Sequence, residues 1–195
     1  MNPPDLYRQV AALHADAINQ GFLSELGIGF LSLLYEAMDA DPDTALIYKV
    51  EQGQVQGFVT GGTGLGPICR RLLARFPRLV WALMPVLASP RRIKRIAEIL
   101  LHSGQSVPEG LPAAELFSIA VRPEARGTGC AGWLYSRLGE YFRSRDIPAF
   151  RIMVGEQLAP AQAFYRKMGA IPTATISMHE DECSTVFVQS LETKL

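Results

Sequence analysis

The 195-residue chain has no surplus charge of either sign, because 19 lysines and arginines balance 19 aspartates and glutamates. A balanced chain has no overall attraction for nucleic acid or an anionic bilayer, so neither is an expected partner. Cysteine is scarce. Cys69, Cys130 and Cys183 are the whole supply, and their spacing fits neither a metal site nor a redox pair. That excludes a disulfide framework, gives no reason to expect a metal, and points to a reducing, cytoplasmic setting. Long apolar runs are missing too. The longest, Leu79 to Ala88, is interrupted by Pro85 and falls far short of a membrane span. The start, MNPPDLYRQV, has neither the basic opening nor the apolar stretch of a secretory signal, and no repeat or low-complexity tract follows.

What is there suits one folded unit. Hydrophobic residues make up 48% of the chain and charged residues 19%, ordinary values for a globular domain of this length. No domain boundary is visible, so residues 1–195 are read as a single α/β domain. Leu6, Val10, Leu13 and Ala17 recur at helical spacing up to Gly21, and Phe30, Leu33, Leu34, Ala37 and Met38 mark a second helix. After the acidic loop MDADPDT, the runs TALIYKV and QVQGFVT flank Glu51-Gln52-Gly53 and read as a β-hairpin.

Residues 67–103 read as a helical insertion. Pro67 starts one helix and Pro77 ends it, and Ser89-Pro90 opens another that carries Ile93, Ile96, Ala97, Leu100 and Leu101. Eight basic residues lie in this segment against one acid, Glu98. It has three readings: an amphipathic lid, an attractor for an acidic group, or a protein contact through LVWALMPVLA. Further on, AFRIMV reads as a strand. Ala161, Phe164, Tyr165 and Met168 form one face of a short helix that Gly169 ends, and ATISM and STVFVQS close as a hairpin.

The most informative stretch is AELFSIAVRPEARGTGCAGWL, residues 114–134. The apolar run Leu116 to Val121 is a buried strand, and it breaks at Arg122-Pro123 because proline removes a donor and bars helical geometry before it. Arg126-Gly127-Thr128-Gly129-Cys130-Ala131 then opens into a helix with Leu134, Leu138, Tyr141 and Phe142 on its buried stripe. Two glycines at a strand-to-helix turn let backbone N–H groups crowd around an anion at the positive end of the helix. The rival stretch Gly61-Gly62-Thr63-Gly64-Leu65-Gly66 lacks a phosphate-binding lysine and an acidic partner, so it is read as a flexible loop.

This order of elements resembles the GCN5-related N-acetyltransferase (GNAT) family, which moves acyl groups from acyl-coenzyme A to amines. The family's loop pattern is Arg or Gln, two residues, Gly, one residue, then Gly or Ala, and Arg126, Gly129 and Ala131 fill it. Its later pattern of Ala, Tyr and Gly at four-residue steps is met by Ala161, Tyr165 and Gly169. The family often places Asn seven residues before that tyrosine; here the position is Leu158, with Gln157 beside it as a substitute contact. The usual Phe after the glycine is Ala170. The resemblance implies a mixed, mostly antiparallel sheet flanked by helices, with acetyl-CoA as co-substrate and an amine acceptor. It places cofactor contacts at Arg126 to Ala131, Gln157 and Phe164, and implies that backbone near Ile119, Ala120 and Val121 holds the thioester oxygen where the strand splays from its neighbour.

Acyl transfer needs a neutral amine, and a lysine-like amine has a solution pKa near ~10.4, so a base or a chain of waters must take its proton. Glu115, eleven residues before Arg126, stands at the offset of the catalytic glutamate in the histone-acetylating branch of the family. Tyr165 matches the family tyrosine that assists the departing thiolate, although its stripe with Ala161 and Met168 is also the pattern of a core residue. His14, His102 and His179 read as structural or solvated, with His14 bordering an acceptor pocket as the other option. Cys130 suits small-residue packing in the cradle. Glu25, Phe30 and Tyr35 are acceptor-side candidates by location. Two other readings stay open, a non-catalytic acyl-CoA-binding module and a protein-interaction domain, and so does a homodimer.

Overall fold

A computed structural model describes residues 3–18, 26–74, 76–87, 110–179 and 182–192. Helices α1 (Pro3–Ala17) and α2 (Gly27–Asp39) come first, then strands β1 (Thr44–Glu51) and β2 (Gln54–Gly62). Helices α3 (Gly66–Ala74) and α4 (Phe76–Leu87) follow. The second half holds β3 (Glu115–Val121), α5 (Cys130–Arg143), β4 (Ala149–Gly155), α6 (Ala159–Lys167), β5 (Ile171–His179) and β6 (Glu182–Ser190). Six strands form one sheet in the order β1-β2-β3-β4-β6-β5. Every pairing is antiparallel except β3 with β4. The expected mixed, mostly antiparallel sheet with flanking helices is therefore what forms.

Each face of the sheet has its own core. On one side α1 and α2 bury Val10, Leu31, Leu34 and Tyr35 against Phe58 and Ala120. On the other, Leu134, Leu138 and Phe142 of α5 pack on Val59, Leu116, Phe150 and Ile152. The β1–β2 hairpin turns at Gln52 and Gly53, both with positive φ (50° and 78°), the mirror-image turn whose twist matches paired strands.

Two expectations need correction. Gly61 and Gly62 are not loop but the end of β2, paired with β1 and β3. They are glycine because the neighbours leave no room: a Cβ on Gly61 would lie 2.8 Å from the Glu115 carbonyl oxygen, and one on Gly62 2.6 Å from Thr44. Pro77, expected only as a stop, falls in the first turn of α4, where its missing N–H has no partner to lose. The helix expected from Ser89-Pro90, His102 and five of the eight basic residues lie outside the described residues, as does Glu25. Trp81 and Met84 of the LVWALMPVLA run stand exposed on α4.

Two irregularities in β3 shape the centre of the sheet. The register passes from Thr60↔Ser118 to Gly61↔Leu116, so Phe117 is the extra residue of a β-bulge. Phe117 packs with the α1/α2 core and Ser118 contacts Tyr35 of α2, so both point to the same face. Beyond the bulge β3 leaves β4. Only Glu115↔Arg151 and Leu116↔Ile152 pair, and the two strands then diverge toward their C-terminal ends.

Candidate active site: a splayed strand pair beside a glycine loop

The divergence exposes backbone. Arg122 N–H donates to the Gln56 carbonyl at 2.8 Å, and amide direction alternates along a strand. Ala120 therefore turns its amide toward β2, whereas Ile119 and Val121 turn theirs into the gap on the β4 side. Of the three residues expected there, Ile119 and Val121 have amides that face the gap and Ala120 does not.

The loop after β3 begins as a 3-10 turn, Pro123–Ala125, in which Ala125 N–H bonds Arg122 O and Arg126 N–H bonds Pro123 O. Gly127 and Gly129 follow with φ of 77° and 85°, left-handed values that favour glycine. Thr128 does not line the cavity; its hydroxyl donates to the Ala125 carbonyl at 2.8 Å and fixes the loop from behind. The first backbone bond into α5 is Trp133 N–H to Gly129 O at 3.0 Å, so the amides of Cys130, Ala131 and Gly132 are the open donors of the first turn. They point out of the positive end of a 14-residue helix. Nothing lies within 4 Å of where a Cβ would stand on Gly127 or Gly129, so the space above the loop is clear. Clear space, clustered donors and a helix N-terminus fit a diphosphate.

A cavity of about 430 Å³ opens here, lined among others by Val121, Arg126, Cys130, Phe164 and Lys167. Of the residues expected at the cofactor it gathers Val121, Arg126, Gly127, Gly129, Cys130, Ala131 and Phe164 but not Ile119, Ala120, Thr128 or Gln157, and it adds Ala125, Gly132, Lys167 and Met168. Lys167 brings a cation that the sequence reading missed. Its signal was available, since Phe164, Lys167 and Met168 stand at i, i+3 and i+4, the spacing of one helix face. Burial raises the Cys130 thiol, which keeps it protonated and unreactive. Gln157 folds over the end of β4, its amide 2.8 Å from where a Cβ of Gly155 would stand.

Tyr165 does not line that cavity. It is buried on α6 among Tyr135, Phe164 and Phe187, and burial raises its hydroxyl pKa. Glu115 sits at the paired end of β3, where Arg151 donates from Nε (3.0 Å) and Nη2 (2.6 Å) to Oε2. Both side chains are about 15% exposed. Arg151 also donates to the Pro112 carbonyl at 2.6 Å. Glu115 is thus a half-engaged carboxylate, with Oε1 as its remaining acceptor.

On the opposite face of β3 a chain of polar side chains runs through the α1/α2 core. His14 Nδ1 lies 2.5 Å from the Tyr35 hydroxyl, Tyr35 lies 3.4 Å from Ser118 Oγ, and Ser118 lies 2.8 Å from Thr60 Oγ1. Burial lowers the His14 pKa from 6.5 to about 4, so the imidazole is neutral near pH 7. Between those values the folded state binds fewer protons than the unfolded one. The stability contributed by neutral His14 is therefore complete above about pH 6.5 and is lost as the pH falls to 4. A shift of this size is worth roughly 3 kcal/mol. In His14→Gln, urea unfolding between pH 4 and 7 is expected to lose that slope; an unchanged slope assigns the pH dependence elsewhere.

A larger groove, about 630 Å³, is lined by Tyr7, Ser32, Leu33, Glu36, Arg78 and Trp81 among others, all on helices α1, α2 and α4. No sheet residue lines it.

The sequence profile described as the Acetyltransferase (GNAT) family matches residues 15–170. The chain belongs to the GNAT acetyltransferase family. No curated protein matches its sequence. An N-acetyltransferase from Staphylococcus aureus Mu50 has the same GNAT fold, with a TM-score of 0.63 and 15% identity over 98% of this chain and 96% of its own. An aminoglycoside 6′-N-acetyltransferase, solved with coenzyme A, superposes with a TM-score of 0.62 and 13% identity over 98% and 94%. The GNAT profile spans both halves of the site, from His14's neighbour on α1 to Ala170 after α6. Among the described residues of this GNAT chain, no helix is long and apolar enough to cross a membrane, and no three metal-ligating side chains cluster.

Proposed function

We propose that this acetyltransferase moves an acetyl group from acetyl-CoA directly to a primary amine in a ternary complex. One observation carries the reading. The backbone amides of Ile119 and Val121 face a gap between diverging strands, and that gap adjoins an open glycine loop at a helix N-terminus. The related aminoglycoside acetyltransferase, solved with coenzyme A, supports the choice of donor.

When bound, acetyl-CoA supplies an activated thioester. The amides from Gly127 to Gly132, with Arg126 and Lys167, hold its phosphates, and Phe164 and Met168 cover the apolar wall. Ile119 N–H is placed to polarise the acyl oxygen, a fixed dipole that needs no reorganisation as charge develops. Glu115 receives the amine's surplus proton through water at Oε1, because Arg151 occupies the other oxygen. Gln157 stands in for the family asparagine at the end of β4. A cytoplasmic location accords with three unpaired cysteines.

Tyr165 donates a hydrogen bond to the departing sulfur. Its raised pKa makes it a poorer acid than ordinary tyrosine, so the contribution is a held proton rather than a transferred one. In Tyr165→Phe, turnover is expected to fall on the order of 10²-fold while acetyl-CoA affinity stays within about twofold. Unchanged turnover would return Tyr165 to the core.

The reaction is tested by thiol release from acetyl-CoA with a panel of amines. Amine-dependent release supports transfer. Tight binding of acetyl-CoA without release under any amine would instead make the chain a binding module, a reading that Leu158 at the start of α6 favours.

A further inference from the structure

The polar chain behind β3 has a use that the donor site does not absorb. His14, Tyr35 and Thr60 are sealed, at 4%, 1% and 1% exposure, whereas Ser118 is partly exposed. Ser118 is therefore the one member of the chain open to solvent. It also directly precedes Ile119, whose N–H faces the gap between β3 and β4. The bulge at Phe117 brings this about, because it sets the phase of the strand so that Ser118 faces the helices and Ile119 the opposite layer.

We propose that Ser118 is the contact for the attacking amine, with Tyr35 and His14 behind it as positioning residues. The proposal rests on the transfer reading above. Its chemistry follows from the order of donors. A neutral imidazole accepts at one nitrogen, and the Tyr35 phenol, which keeps its proton, is the better donor of the pair. With that proton committed to His14 Nδ1, the Tyr35 oxygen is an acceptor for the Ser118 hydroxyl at 3.4 Å. With the Ser118 proton committed to Tyr35, the 2.8 Å contact with Thr60 has Thr60 as its donor and uses one Ser118 lone pair. Ser118, partly exposed, keeps a second lone pair to accept from a substrate N–H.

A primary amine has two N–H groups and one lone pair. Holding one N–H at Ser118 Oγ aims the lone pair at an acyl carbon whose oxygen is fixed by the next residue along the strand. Orientation of this kind lowers the barrier without any proton entering the core. The C–N bond forms as the C–S bond breaks, and the surplus proton leaves through water to Glu115. A cationic ammonium gains nothing at this site, because the chain presents no carboxylate.

The test uses the full chain with acetyl-CoA and spermidine, lysine ethyl ester, glucosamine and kanamycin as acceptors. Ser118→Ala is expected to lose about 100-fold in kcat with the best of these, with acetyl-CoA affinity by calorimetry within twofold. Ser118→Thr, which keeps a hydroxyl, recovers most of the loss. Tyr35→Phe loses about 10-fold on its own. The double variant Ser118→Ala/Tyr35→Phe falls no further than Ser118→Ala, since residues acting through one contact are not additive. Nitrogen NMR of the wild-type imidazole supplies a readout independent of activity: Nδ1 is expected unprotonated, and its shift moves in Tyr35→Phe.

Wild-type turnover with Ser118→Ala within threefold overturns the assignment and leaves the transfer reading intact. Additive losses, or a protonated Nδ1, overturn the positioning role of Tyr35 and His14. Acetyl-CoA binding with no acceptor used by the wild type overturns both readings together. Should Ser118→Ala lose its cooperative unfolding transition, Tyr35→Phe and the imidazole shift decide the matter.

Discussion

Gly129→Asp is expected to abolish acetyl-CoA binding, raising Kd at least about 100-fold, while leaving the fold in place. The position has φ of 85° and ψ near 0°, and aspartate is among the few residues that tolerate this left-handed geometry, so little strain is added. The Cβ meets nothing within 4 Å, so there is no clash either. What changes is electrostatic. A carboxylate at the N-terminus of α5 occupies the donors that a diphosphate needs and repels it as well, and such sites are strong because charge and open N–H groups coincide. Gly129→Asn, nearly the same shape without the charge, separates the two effects and is expected to keep most of the affinity. Calorimetry on the three proteins, with thermal unfolding as the control for folding, reads the outcome. Equal weakening by Asn and Asp would mean that shape rather than charge governs the loop.

Gly61→Val carries the largest expected effect on stability, a loss of more than about 3 kcal/mol. The missing side chain is what lets α5 lie directly on the sheet. An added Cβ meets the Glu115 carbonyl oxygen at 2.8 Å, Leu138 at 3.0 Å and Phe142 at 3.1 Å. Leu138 and Phe142 are wholly buried, and the carbonyl is part of a paired strand, so none of the three has room to retreat. The strain falls on Glu115, where β3 is briefly parallel to β4, so acetyl-CoA affinity is expected to drop along with stability. Gly61→Ala takes the same direction with a smaller loss. Urea unfolding measures it, and a Val variant within about 1 kcal/mol of wild type would show that the α5 packing is looser than these distances imply.

The donor side of the site was legible because its signals are local. Gly127 and Gly129 between an apolar run and a helical stripe describe a strand, a turn and a helix N-terminus within twenty residues. The Gln52-Gly53 hairpin was legible for the same reason. The polar chain behind β3 was legible only in part: His14 and Tyr35 stood out by location, Ser118 and Thr60 did not. The bulge at Phe117 sits inside ELFSIAV, which is apolar enough throughout to hide a break in alternation. Partners 21 and 83 residues apart, His14 with Tyr35 and Tyr35 with Ser118, become visible only once α1 and α2 cross behind the sheet. Arg151 on Glu115 is equally remote in sequence, at 36 residues. Gly61 and Gly62 were misread because glycine required by close approach has the same letter as glycine required by a turn. The helix α4 was missed because two prolines outweighed its apolar periodicity, although the first lies where a helix accepts proline.

Acetyl-CoA binding by the glycine loop and the splayed strands together is the central expectation. Thermal unfolding of the purified chain with and without acetyl-CoA tests that directly. A ligand that binds only the folded state at 100 times its Kd adds about 2.7 kcal/mol. For a chain of this size each kcal/mol is worth about 2–4 °C, so a rise of about 5–11 °C is expected. The rise should be absent in Gly129→Asp. An unchanged midpoint in the wild type at millimolar acetyl-CoA would contradict the account.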